Sequence, residues 1–166
     1  MQGGCGMLSV YLICVGKLKE KFYLEACGEY IKRLGAYCKL TLVELPEERL
    51  PQNPSRAQIE QALEKESQAI RAKLPPSTSL VCLCVEGKLR SSEELAGMFR
   101  DWEGGSAKHL AFVIGGSYGL APSLKAEAWV KLSMSPMTFP HHLARVMVLE
   151  QIYRAFKINE GSSYHK

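Results

Sequence analysis

Short apolar runs alternate with stretches of helical spacing along almost the whole chain, and this alternation limits the possible folds more than any other feature. Leu8 to Val15 has the length and composition of a buried strand, and Leu18, Phe22, Ala26, Ile31 and Leu34 recur after it at helical spacing. Leu40, Leu42 and Leu45 predict a second strand, closed by Pro46. A loop carrying Pro51 and Pro54 then leads to Ser55, which forms the spacing of a capping box with Gln58. The helix that begins there runs toward Leu74 and stops at Pro75-Pro76. Leu80 to Val85 predicts a central parallel strand, and Gly87 a turn after it. Ser91 and Glu94 form a second capping box, for a helix that buries Leu95, Phe99 and Trp102 and ends at Gly104-Gly105. Leu110 to Ile114 is the next strand, Pro122 to Trp129 a short helix, and Val130 to Met134 the last strand. Ser135 to Pro140 is a loop, and a final helix runs from there to about Lys157, because proline suits a helix entrance far better than its interior. Strands alternating with helices predict an α/β fold with a mostly parallel sheet flanked by helices.

With 166 residues, 46% of them apolar and 23% charged, the chain suits one globular domain with a sizeable core, and no repeat or linker divides it. Met1 to Gly6 has no pattern and precedes a second methionine, so the domain is expected to begin at Met7, with a frayed extension or cloning remnant before it. The net charge of +4 permits an anionic partner without demanding one. Cys5, Cys14, Cys27, Cys38, Cys82 and Cys84 include no C-x-x-C pair, and several sit inside apolar runs. They suit small buried side chains in a reducing compartment better than a disulfide framework or a zinc site. Met7 to Val15 is too short to span a bilayer and lacks a basic flank, so the expectation is a soluble cytoplasmic protein without a metal.

Chemistry concentrates in the last third. On the final helix Val146, Leu149, Ile152, Tyr153 and Phe156 share an apolar face, with Glu150, Gln151, Arg154 and Lys157 opposite. Arg145 falls near the middle of the apolar face, one turn from the entrance. A guanidinium there either finds an acidic partner inside the protein or looks into a polar site. His141 and His142 stand at the entrance itself, and the chain closes on Tyr164-His165. Upstream, I-G-G-S-Y-G at Ile114 to Gly119 carries a buried strand into glycines that admit close approach of the backbone to a ligand. It is neither G-x-G-x-x-G nor a P-loop, and an unliganded turn is the plainer account of it taken alone. S-P-M-T-F-P at Ser135 to Pro140 mixes small, sulfur-bearing and aromatic groups suited to wrapping a purine. Both segments lie where ligands of open α/β sheets bind, beyond the carboxyl ends of strands. His109, inside a strand, is expected to be structural.

The strand followed by I-G-G-S-Y-G-L, then M-T-F-P-H, L-x-R-V at Leu143 to Val146, Glu150 to Ala155 and the closing Tyr164-His165, resembles the RlmH family of SPOUT-class methyltransferases. The likeness runs from about Met7 to the C-terminus. It implies N3-methylation of a pseudouridine in bacterial 23S rRNA on the assembled ribosome, S-adenosylmethionine as cofactor, a homodimer, and a C-terminal trefoil knot. Knots are exceptions to ordinary chain connection, so periodicity alone does not propose one. The resemblance assigns Leu83, Gly115, Gly116, Met134, Ser135, Pro136, Met137, Thr138 and Phe139 to the cofactor. It assigns His141, Arg145, Tyr164 and His165 to the reaction, and Arg154 and His142 to the RNA, with the tail reaching the partner subunit's site. The chain departs from the family pattern at Pro136, where lysine is common, at His142, where glutamine is common, and at Ser117, where some members carry proline.

The reaction so implied displaces a methyl group in line from a sulfonium, with the acceptor held by proximity and orientation. N3 of pseudouridine is an imide nitrogen that becomes nucleophilic as its proton leaves. Arg145 would stabilise the charge developing on the base, and His141 or His165 would accept the proton directly or through water; electrostatic assistance by the arginine is the preferred reading over a strict histidine base. Two other readings stay open at this stage: a noncatalytic ribosome-binding factor of the same fold, and an α/β enzyme using another nucleotide cofactor.

Overall fold

A computed structural model describes residues 6–166, and nearly all of the expected frayed extension, Cys5 included, lies outside them. Five strands and five helices alternate strictly: β1 (Leu8–Val15), α1 (Lys21–Leu34), β2 (Cys38–Leu45), α2 (Arg56–Lys73), β3 (Thr78–Leu89), α3 (Ser92–Glu103), β4 (His109–Ile114), α4 (Pro122–Ala126), β5 (Val130–Ser133) and α5 (His141–Asn159). Every strand pair is parallel, in the order β2-β1-β4-β3-β5. Parallel strands buried on both faces explain the near-continuous apolar runs, and β4 divides its side chains cleanly between the two sides. Leu110, Phe112 and Ile114 face a core completed by α1, α3 and α5, while Ala111 and Val113 face a smaller core with Ile70 of α2 and Leu124 of α4.

Both capping boxes are present: the hydroxyls of Ser55 and Ser91 accept from the amides of Gln58 and Glu94, and those side chains accept from the serine amides in return. Phe22 departs from its expectation and is 64% exposed. The inward stripe of α1 is Tyr23, Cys27, Ile31 and Leu34, which leaves Phe22 one position off the buried face. The short helix is also shorter than predicted, because the Trp129 amide donates to Leu80 O at 2.8 Å and draws the chain into β5. Gly87 makes no turn. It lies inside β3, where Leu83 and Lys88 both register with Leu132, so Cys84 to Gly87 form a four-residue excursion from the ladder. A Cβ on Gly87 would stand 2.8 Å from the carbonyl carbons of Lys131 and Leu132, so the excursion requires glycine.

β4 and β5 pair with opposite sides of β3, so the chain crosses β3 on the α4 side and returns to the other face to place α5 between α1 and α3. That sandwiching accounts for a second departure: the polar side of α5 does not face open solvent, and no residue from His141 to Asn159 is fully exposed. Instead Gln151 accepts from the Ser92 hydroxyl at 2.8 Å, and Arg154 is paired with Glu150. Cys14, Cys27, Cys38 and Cys82 are buried free thiols and Cys84 is half-buried. Burial pushes the Cys14 thiol up to about 12. Among the described residues, no helix is long and apolar enough to cross a membrane.

Candidate functional site

A cavity of about 670 Å³ opens at the excursion within β3 and beyond the carboxyl ends of β4 and β5, a volume within the usual range for small-ligand sites. Three segments wall it. Leu83 and the β3 excursion after it contribute residues through Glu86, the glycine turn after β4 contributes Gly115 to Leu120, and the loop after β5 contributes Met134, Ser135, Met137, Thr138 and Phe139. Pro136 is the one residue of the predicted cofactor set that does not line it.

The glycine turn closes on itself, with the Gly119 amide donating to Gly116 O at 3.1 Å and Gly119 at a φ of +79°. A Cβ on Gly115 would stand 2.5 Å from the carbonyl carbon of Gly119, and one on Gly116 would stand 2.6 Å from Oε1 of Glu47. That carboxylate accepts from the Ser117 amide at 2.7 Å, tying the turn to the segment after β2. In the β5 loop the Ser135 hydroxyl accepts from the Met137 amide at 3.0 Å, while Ser133 donates to Ser135 O. These bonds brace two of the segments that line the cavity. Beside them, Lys125 pairs with Glu86 on the third wall.

His141, the first residue of α5, lines the cavity at its rim. Gly16 packs against the imidazole, where a Cβ would make an ordinary contact 3.6 Å from Nε2, and its φ of +107° is what favours glycine there. Partial burial holds the His141 pKa below its usual value, helped by His142 and Arg145 and opposed by Glu47 and Glu20. The ring is therefore neutral at physiological pH and free to accept a proton.

Arg145 is placed differently from the expectation that it faces the reacting base. It is 1% exposed and does not line the cavity. Its Nη1 donates to Oε2 of Glu44 at 2.7 Å and its Nη2 to Gly16 O at 3.1 Å, so the internal ion pair is the alternative that holds. The same Glu44 oxygen accepts from the Leu18 amide at 2.9 Å. One carboxylate and one guanidinium thus fasten the β1–α1 turn to the start of α5 and fix where His141 stands. Burial raises the Glu44 pKa, but the bonds from Arg145 and Leu18 and the charge of Arg145 outweigh it and leave the carboxyl below the usual range.

The remaining predicted residues lie away from the cavity in this protomer. His142 turns outward, with Nδ1 3.4 Å from a Glu20 carboxylate oxygen and its ring against Tyr23. Arg154 is thirteen residues along α5 from His141, or about 20 Å at the helical rise. The chain end folds back there: His165 lies 3.2 Å from Arg154 and 2.7 Å from Glu93, Tyr164 donates to Glu150 at 3.2 Å, and the Arg154 guanidinium covers the Tyr164 ring. His109 bonds Ser9 within the sheet, as a structural histidine does. Glu44, Glu47 and Glu86 went unnoticed in the sequence. Only Glu44 carried a signal, as an acidic residue just inside the end of an apolar strand.

The residues present fit S-adenosylmethionine. Leu83, Leu120, Leu132 and Phe139 offer apolar walls for an adenine, the paired loops offer backbone donors and acceptors, and Glu86 and Thr138 offer polar side-chain oxygens.

Comparison with known proteins agrees with this geometry. A family model described as "Predicted SPOUT methyltransferase" matches residues 8–165. A protein of Desulforamulus reducens named ribosomal RNA large subunit methyltransferase H is 46% identical over 160 residues, covering 96% of this chain and 100% of that protein. Among solved structures, a probable methyltransferase from Bordetella pertussis superposes with a TM-score of 0.56 at 20% identity, over 89% of this chain and 94% of the other. A probable methylase family protein from Haemophilus influenzae superposes at 0.53 and 14% identity, over 96% of this chain and 72% of the other. The two structures share the fold, and the family match and the close relative settle the lineage: the chain belongs to the SPOUT methyltransferase family and uses S-adenosylmethionine.

Proposed function

We propose that the protein methylates N3 of a pseudouridine in 23S rRNA of the large ribosomal subunit, on the assembled ribosome in the cytoplasm. It works as a homodimer of one knotted domain that begins at Met7. The observation that carries the reading is the convergence of the β3, β4 and β5 segments on one cavity that His141 also lines. The name of the 46% identical relative supports an acceptor in large-subunit rRNA.

When bound, the cofactor supplies an electrophilic methyl group on a sulfonium. The Gly115 to Gly119 turn and the Met134 to Phe139 loop would hold the adenosine, and the apolar walls would exclude water from the reacting centre. His141 takes the N3 proton on an imidazole nitrogen as the nitrogen becomes nucleophilic, and burial has kept that nitrogen free of a proton. Arg145 acts through His141, by anchoring the entrance of α5 to Glu44 and Gly16. Tyr164, His165 and Arg154 lie far along the helix from their own His141. That separation favours delivery of this cluster to the cavity of the partner subunit. His142, beside the entrance, contacts the RNA.

The test is methyl incorporation from labelled S-adenosylmethionine into 70S ribosomes, separate subunits and free 23S rRNA from a strain lacking the modification, with His141→Ala as control. Label in ribosomes that maps to N3 of a pseudouridine and falls at least a hundredfold in the control is expected. Label at another nucleotide, or none in any substrate, overturns the proposal.

A further inference from the structure

The loop between β1 and α1, with the first residues of α1, presents a basic and aromatic edge that the reaction itself does not use. Its sequence is G-K-L-K-E-K-F, Gly16 to Phe22. Leu18 is 4% exposed and anchors the loop in the main core, so its neighbours Lys17 and Lys19 are thrown outward into solvent. Among the described residues, Lys17 and Lys19 make no ion pair. Lys21 reaches only Glu25 at 3.7 Å, with both side chains mostly exposed, so that pair holds it weakly. The acidic neighbour Glu20 is engaged by His142 at 3.4 Å. Phe22 stands beside these lysines, 64% exposed, its ring 4.4 Å from that of Tyr23.

Two features distinguish this edge from a scatter of surface residues. It adjoins the cavity rim, since Gly16 abuts His141 and Tyr23 abuts His142. It is also held in place, because Glu44 binds the Leu18 amide and Arg145 binds Gly16 O. A fixed row of cations ending in an exposed aromatic ring matches a single-stranded RNA segment, with lysines at the phosphates and a base stacked on the ring.

We infer that Lys17, Lys19, Lys21 and Phe22 form the dock for the RNA strand flanking the target nucleotide, with Phe22 stacking an unpaired base. This rests on the proposed rRNA methyltransferase activity and adds the surface that grips the substrate. No residue of the dock lines the cofactor cavity, so its loss weakens RNA capture and leaves cofactor binding intact.

The experiment measures kcat, KM for modification-free ribosomes and cofactor affinity across a salt series. It compares the wild type, Lys17→Gln/Lys19→Gln, Phe22→Ala, and a charge control, Lys65→Gln/Lys73→Gln, on exposed positions of α2. The loop double variant is expected to raise KM and to reduce the slope of log affinity against log salt by about 1.4, from about 0.7 per phosphate contact to single-stranded RNA. Phe22→Ala is expected to raise KM about tenfold with a smaller change in salt slope. Cofactor affinity and melting temperature stay at wild-type values in both. Wild-type KM and salt slope in the loop variants overturn the dock while leaving the methyltransferase reading intact. An equal effect in the α2 control overturns it too, since net charge alone would then explain the loss. Absence of incorporation by the wild type overturns the parent reading, and this inference with it.

Discussion

Removing the Glu44 carboxylate tests the most consequential contact in the molecule. Arg145 is 1% exposed, and among the described residues its guanidinium has two partners, Glu44 at 2.7 Å and Gly16 O at 3.1 Å, while its Nε has none. Breaking a fully buried ion pair by deleting one partner costs about 3–5 kcal/mol, because the other charge stays buried. Here the Glu44 side chain is 34% exposed, so water reaches one end of the pair and screens it. With that discount Glu44→Ala is expected to destabilise by about 2–3 kcal/mol. For a chain of this length that lowers the melting temperature by about 5–10 °C. Glu44→Gln keeps an acceptor and loses the charge, and is expected to cost about 1 kcal/mol.

Calorimetric unfolding of Glu44→Ala, Arg145→Met and the double variant separates the pair from its surroundings. Arg145→Met fills most of the guanidinium's space without a charge, so the double variant should be more stable than Glu44→Ala alone. The pH dependence follows from the sign of the shift: the Glu44 carboxyl is held below its usual value in the folded state. Its contribution is fully present above the free carboxyl pKa and fades as the pH falls through the folded value, so Glu44→Gln should flatten the acid limb of stability. A loss under about 0.5 kcal/mol for Glu44→Ala, or a double variant no more stable than it, refutes the argument that Arg145 depends on this partner.

Three further outcomes are expected. His141→Gln should lower kcat by about 10²–10⁴-fold with cofactor affinity preserved, and the wild-type acid limb of kcat/KM should lie below the free imidazole value because the imidazole pKa is held down; an acid limb above that value removes His141 as the base. Gly115→Ala should abolish cofactor binding in titration calorimetry, since the new Cβ meets the Gly119 carbonyl and forces the turn open; retained wild-type affinity shows that the turn does not contact the cofactor. Truncation after Ser163 removes the contacts of Tyr164 and His165 with Glu150, Arg154 and Glu93, and should abolish methyl transfer at a stability cost of about 1–2 kcal/mol. Mixing truncated protomers with Gly115→Ala protomers should restore part of that activity if the tail serves the partner's cavity, and no restoration refutes delivery across the dimer.

The layout of the fold was legible because its signals are local. Two capping boxes, paired prolines after α2 and five apolar runs of strand length each act within a few residues. The misreadings occurred where distant pairing overrode local preference. Gly87 carries the usual mark of a turn, yet its role is set by the close approach of Lys131 and Leu132 in a strand more than forty residues away. Phe22 fits a helical period when Leu18 is counted as part of the helix. Leu18 precedes α1, so the buried stripe starts at Tyr23 and Phe22 is left in solvent.

The site divides along the same line. Its cavity walls were legible because glycine turns and proline-bounded loops announce themselves in sequence, and the strand ends bring them together. The role of Arg145 was not. A cation on an apolar helix face signals only that it must be compensated, and its partner stands 101 residues earlier, at the end of β2. Burial of the guanidinium changes what its loss would mean. Arg145→Ala would lower activity whether arginine touches the base or only anchors His141, so activity alone cannot separate those roles. The structure separates them by geometry: Arg145 donates its two terminal nitrogens to Glu44 and Gly16 and is absent from the cavity wall, whereas His141 lines that wall. That placement favours the proposed assignment of proton transfer to His141, with the arginine one turn further on fixing where that residue stands.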